Sequence, residues 1–125
     1  MRIESPTSAR LTVERSRFFA LLIPAPDEAA IKKVLAKQRR KHKRANHHCW
    51  AARVRGADGR IVEHARDDGE VGRPGMKMLE LLRRHDIEGA LVVSRIFGGV
   101  KLGPAGVGRA FAQAAQAVLA AAGLG

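Results

Sequence analysis

The chain contains one cysteine, one tryptophan, four phenylalanines and no tyrosine. A lone Cys49 closes no disulfide within the chain, which fits a reducing compartment and makes the cytoplasm the expected location. No apolar run reaches the length of a bilayer span, and the N-terminus lacks the apolar stretch of a secretory signal, so no membrane partner is expected. Acids are scarce as well: 12 stand against 23 lysines and arginines, a formal net charge of +11. An excess of that size in a basic protein points to polyanionic partners, RNA or the ribosome first among them. What is present is ordinary for a folded domain. Apolar residues make up 46% of 125 positions, enough for one core, and residues 1–125 read as a single domain.

The positive charge is unevenly placed. Lys32, Lys33, Lys37, Arg39, Arg40, Lys41, Lys43 and Arg44 fall in one stretch without an acid, while Asp67, Asp68 and Glu70 cluster elsewhere. Two short strands are expected around Arg10–Arg15 and Arg17–Ile23, the second ended by Pro24 and Pro26. Asp27 is a good N-cap for a helix over Glu28–Lys41, with Ile31, Val34, Leu35 and Gln38 on one face and basic residues on the others. A hairpin is expected from Cys49–Arg55 and Arg60–His64, then a short helix over Met76–Arg84 and an apolar, central strand over Ala90–Ile96. An alanine-rich helix starting near Gly106 and closed by Gly123 ends the chain. The order ββαββαβα describes an α+β, two-layer sandwich, expected to carry its helices on one face.

Between the last strand and last helix runs Gly98-Gly99-Val100-Lys101-Leu102-Gly103-Pro104-Ala105-Gly106-Val107-Gly108-Arg109. A strand, a glycine loop and a helix start leave backbone N–H groups free to converge, which suits an anion. Gly98, Gly99 and Gly103 with Lys101, Arg109 and Arg95 form the candidate anion-binding loop. Glycines also serve simply to allow a positive φ or the close crossing of two backbones. The loop matches neither a Walker A motif nor a dinucleotide fingerprint.

Asn46-His47-His48-Cys49-Trp50 opens a strand, so His47 and Cys49 share one side and His48 faces the other. Two convergent ligands fall short of a zinc site, and no metal or other cofactor is expected. Asp67, Asp68 and Glu70 are candidates for acid–base work or Mg²⁺, and equally for turn caps. With His47 and His48 they make a candidate functional cluster. Lys37, Arg39, Arg40, Lys41, Lys43 and Arg44 are the candidate nucleic-acid surface, although that run holds no aromatic ring to stack on bases.

Four motifs occur in an order that resembles one family: Ser16-Arg-Phe-Phe-Ala20, Asn46-His-His-Cys-Trp-Ala51, Asp67-Asp-Gly-Glu70 and Arg95-Ile-Phe-Gly-Gly-Val-Lys-Leu-Gly103. They look like the family of bacterial YigZ and eukaryotic Impact proteins, over about residues 12 to 120. The resemblance implies the fold of the second domain of ribosomal protein S-five and a role in translation regulation, with no catalytic residues to carry over. Ile96 stands where the family's first aromatic is usual, and Val71-Gly-Arg-Pro-Gly-Met76 replaces a Pro-Ser-Gly-Thr-Ala-Gly type segment. No counterpart of the RWD domain of Impact proteins is seen, which makes a protein partner secondary.

The leading expectation is a non-enzymatic binder of RNA or ribosomal surface, acting through the basic glycine loop. The alternative is a small enzyme acting on a phosphorylated substrate through Asp67, Asp68 and Glu70.

Overall fold

The computed structural model describes residues 1–25 and 27–124. Pro26, expected to help end the second strand, lies outside them. Five strands and three helices follow in the order β1 (Thr7–Val13), β2 (Ser16–Ile23), α1 (Glu28–Lys41), β3 (His47–Arg55), β4 (Ile61–Arg66), α2 (Pro74–Arg84), β5 (Gly89–Ile96) and α3 (Gly103–Ala121). The strands form one sheet in the order β1-β2-β5-β3-β4, every neighbouring pair antiparallel.

Alternation along the central strands builds a core on each face. Phe18, Ala20 and Leu22 of β2, Cys49 and Ala51 of β3, and Leu91 and Val93 of β5 point to one side, under α2 and α3. There Phe18 meets Phe111 of α3 edge-on, ring centroids 5.1 Å apart. Ile23, Ala52, Val54, Ala90 and Val92 point to the other side, where Ile31 and Leu35 of α1 cover them. The α+β class and the order ββαββαβα are as expected, but the helices do not share one face: α1 lies opposite α2 and α3. The reason is apolar supply. A strand such as β5, buried along nearly its whole length, must be covered twice.

Local chemistry sets the element ends. The Asp27 carboxylate accepts from Ala30 N at 2.9 Å, capping α1 where expected. Helix α2 begins two residues before the expected Met76 because Pro74 suits a first turn, and Asp67 Oδ1 accepts from Gly75 N at 2.8 Å. Helix α3 likewise starts at Gly103, ahead of Pro104, rather than near Gly106. The β1–β2 turn places Glu14 at φ 46° and Arg15 at φ 67°, the positive φ pair that a two-residue hairpin needs.

Candidate functional site

The starts of β2 and β3 and the end of β5 lie together at one end of the sheet, since Arg17 pairs with Ile96 and His47 with Arg95. A recess opens on each face there.

On the α2/α3 face, Phe18, Arg95 and His47 stand in one cross-strand row. Arg95 is buried, and so is the side chain of Glu70, whose Oε2 lies 3.2 Å from Arg95 Nη1. Arg95 Nη2 donates to Ser16 Oγ at 3.4 Å, and the guanidinium sits between the rings of Phe18 and Phe97, 5.9 and 5.6 Å from their centroids. His47 Nδ1–H donates to the Asp68 carbonyl at 2.9 Å, which leaves Nε2 3.8 Å from Glu70 Oε2. Above this pair is a cleft of about 400 Å³. Its walls come from β3 (His47), the acidic turn (Val71), β5 and its exit (Arg95, Phe97) and the start of α3 (Lys101 to Pro104, Val107).

The acidic turn and the glycine loop do meet. A Cβ on Gly72 would lie 2.2 Å from the Pro104 carbonyl oxygen, and one on Gly108 2.6 Å from the Gly72 oxygen, so both contacts need glycine. The three carboxylates, however, have separate structural tasks. Asp67 caps α2, Asp68 Oδ2 accepts from His48 N at 2.8 Å, and Glu70 pairs with Arg95. Among the described residues no group of three or more His, Cys, Asp and Glu is placed to hold a metal ion. Cys49 is buried and donates to the Asp67 carbonyl at 3.1 Å; burial first, then the nearby Glu70, Asp67 and Asp68, pushes its thiol far up, so it stays protonated. The acid–base arrangement considered from sequence therefore finds its residues occupied as caps and ion-pair partner.

Within the glycine loop the roles divide. Gly98 is structural: a Cβ there would lie 2.1 Å from the backbone of Arg15, and its N–H donates to Ser16 Oγ at 3.2 Å. Gly99 and Gly103 take φ of 88° and 71° with open space around them. Lys101 is exposed and faces the cleft; Arg109 is exposed but outside its wall, lying back over Gly106.

On the α1 face the residues of opposite parity form a groove of about 600 Å³ between the end of α1 and strands β1, β2 and β5. Arg40 and Lys41 from the end of α1, Lys43 and Arg44 from the loop after it, Arg10 from β1 and Arg17 from β2 line it. Phe19, His42 and Ile96 complete the wall, which contains no carboxylate. None of these six lysines and arginines is engaged in an ion pair among the described residues. The rings of Phe19 and His42 stack at 4.2 Å and 21°, with Arg10 5.6 Å above the phenyl ring. Burial first, then Lys41 and Arg10, holds the His42 imidazole below its usual range. His48 points to the same face but is buried, its Nδ1 2.6 Å from Ser94 Oγ.

Of the expected nucleic-acid surface, Arg40, Lys41, Lys43 and Arg44 thus reach the groove, while Lys37 and Arg39 are exposed outside it. Arg10, Arg17, Phe19 and His42 were not anticipated. Strand parity alone groups Arg10 with Phe19, but only the position of α1 brings the helix end beside them.

Known proteins resemble this chain along most of its length. The IMPACT family member YvyE of Bacillus subtilis is 34% identical over 103 residues, which cover 81% of this chain and 46% of that protein. YigZ of Escherichia coli is 31% identical across 86% of this chain and 53% of its own, and Protein IMPACT of Bos taurus 36% across 75% and 30%. The chain spans about half the length of the bacterial relatives it matches. Among solved structures, a hypothetical protein superposes with a TM-score of 0.85 at 30% identity, over 93% of this chain and 57% of that one. The two-domain translational regulator Yih1 superposes at 0.61 and 27% identity, over 96% and 48%. The Impact N-terminal domain matches residues 14–119, and on that match this chain belongs to the Impact N-terminal domain family.

Proposed function

We propose that this protein is a translation-regulatory module that binds the phosphate backbone of RNA, ribosomal RNA included, through the groove on its α1 face. The observation that carries the reading is the wall of Arg10, Arg17, Arg40, Lys41, Lys43 and Arg44 without a carboxylate. Cations that have no internal partner gain most from an external polyanion, because binding releases its condensed counterions. The stacked pair of Phe19 and His42, the latter from within the basic run, places ring surface in the groove wall beside these cations, where an unpaired base could stack. Phosphate contacts of this kind give affinity without sequence choice. The regulatory part of the reading rests on family membership and on likeness to Yih1, a translational regulator.

Anisotropy titration of a labelled single-stranded RNA tests it with two charge-matched triple variants. Arg17→Ala/Arg40→Ala/Lys43→Ala should weaken binding by at least about tenfold, since each charge-assisted contact contributes more than 1 kcal/mol. Arg2→Ala/Arg60→Ala/Arg84→Ala removes three exposed charges outside the groove and should change little. Equal losses from both would mean that net charge, not the groove, does the binding.

A further inference from the structure

The cleft on the α2/α3 face contains groups that RNA binding in the groove leaves unused. Phe97 is 49% exposed and Val71 50%, and both stand in its wall. Large apolar side chains left half in solvent beside a concave site mark a contact surface. Arg95 lies over the Phe97 ring at 5.6 Å, and about half of the Phe97 side chain is in solvent. Lys101 and the start of α3, which has no side-chain cap and no acid in its first turn, also line the cleft. The unsatisfied N–H groups there carry the positive end of the helix dipole. Arg95, only 7% exposed, forms part of the wall, and its Nε finds no hydrogen-bond partner among the described residues. Glu70 is the nearby acid, but it pairs with Arg95 and is not part of the cleft wall.

We infer that this cleft binds a phosphorylated nucleotide, its base against the half-exposed Phe97 ring and its phosphate at Lys101 and the start of α3. Three features select this ligand. A flat, half-exposed ring in the cleft wall suits a base, for which stacking is tolerant of identity. A cation and an uncapped helix end together match a dianionic phosphate better than a single carboxylate. The volume, about 400 Å³, takes one nucleotide and not a length of extended peptide. Ile96 and Phe97, neighbours in the chain, line the groove and the cleft respectively. The nucleotide is therefore either free or the phosphorylated end of a strand lying in the groove.

The test is an NMR titration with AMP, adenosine and inorganic phosphate, followed on the amides of residues 99–106. AMP should bind about tenfold or more tighter than either fragment, and both Phe97→Ala and Lys101→Ala should weaken it by about tenfold. Lys101 is exposed and Phe97 about half exposed, and since Phe97 also covers Arg95, the urea midpoint of Phe97→Ala is measured alongside so that lost binding is read on folded protein. The groove variant Arg17→Ala/Arg40→Ala/Lys43→Ala should bind AMP as wild type does, which separates this inference from the RNA reading. AMP binding no tighter than inorganic phosphate, or indifferent to both cleft variants, would overturn it. A second arm distinguishes the sources: a 5′-phosphorylated RNA that outbinds its 5′-hydroxyl twin in wild type but not in Lys101→Ala identifies a strand end, and equal binding identifies the free nucleotide.

Discussion

Arg95 is a cation whose position is bought with one carboxylate. It sits in a row with Phe18 and His47 on a buried strand, and among the described residues Glu70, Ser16 and the Phe18 and Phe97 rings offset its loss of water. Removing one member of a buried pair strands the other charge, so Glu70→Gln should destabilise the protein by about 3 kcal/mol in urea unfolding. A cost below about 1 kcal/mol would mean that Arg95 is hydrated and the pair is superficial. His48 gives the pH dependence. Burial foremost, with Arg39 adding to it, holds its imidazole below 6.5, against a partial opposite pull from Asp68. The unfolded chain therefore takes up the proton first as pH falls. Stability is complete above about pH 6.5 and is lost as pH drops from there towards the folded value. Between pH 7.5 and 5.5 the unfolding midpoint should fall, and His48→Gln should reduce the fall. An unchanged pH dependence in His48→Gln would assign the effect to other groups.

At the scale of elements, the acidic turn and helix α3 are held together through glycine. Gly72 has φ 85° and would drive a Cβ into the Pro104 carbonyl, whereas Gly99, at φ 88°, has open space. Gly99→Ala should therefore cost only the backbone strain, about 1–2 kcal/mol. Gly72→Ala should add a backbone clash and cost about 3 kcal/mol or more. Equal costs in urea unfolding would show that the turn is free of the helix. Elements governed by local chemistry were legible in the sequence: Asp27 set the start of α1, and the apolar run marked β5 as central. The side on which α1 packs was misread as shared with the other helices, although the sequence held the contrary sign. Leu21-Leu22-Ile23, Ala51-Ala52 and Leu91-Val92 put small or apolar side chains on both faces of the sheet, which demands cover on both. The cleft was only partly legible for a related reason. Spacing brought out the glycine loop and the acidic turn separately, but their contact runs through Gly72 and Gly108, far apart in the chain.

For the whole molecule, the charges are sorted in space as well as in sequence. Glu63 pairs with Arg53 and Arg83, and Glu88 with Arg55, while Glu70 is committed to Arg95. The six cations of the groove form no ion pair among the described residues, so part of the surplus behind the net charge of +11 gathers at one end of the sheet. That concentration was visible in the run from Lys32 to Arg44, but Arg10 and Arg17 join it only through the fold. The central claim is that RNA phosphates neutralise this groove. It is tested most directly by the slope of log affinity against log salt for single-stranded RNA, in wild type and Arg17→Ala/Arg40→Ala/Lys43→Ala. Each lost phosphate contact should flatten the slope by about 0.7, so the variant should fall about 2 units below wild type. An identical slope in the two proteins, or no binding by wild type at low salt, would contradict it.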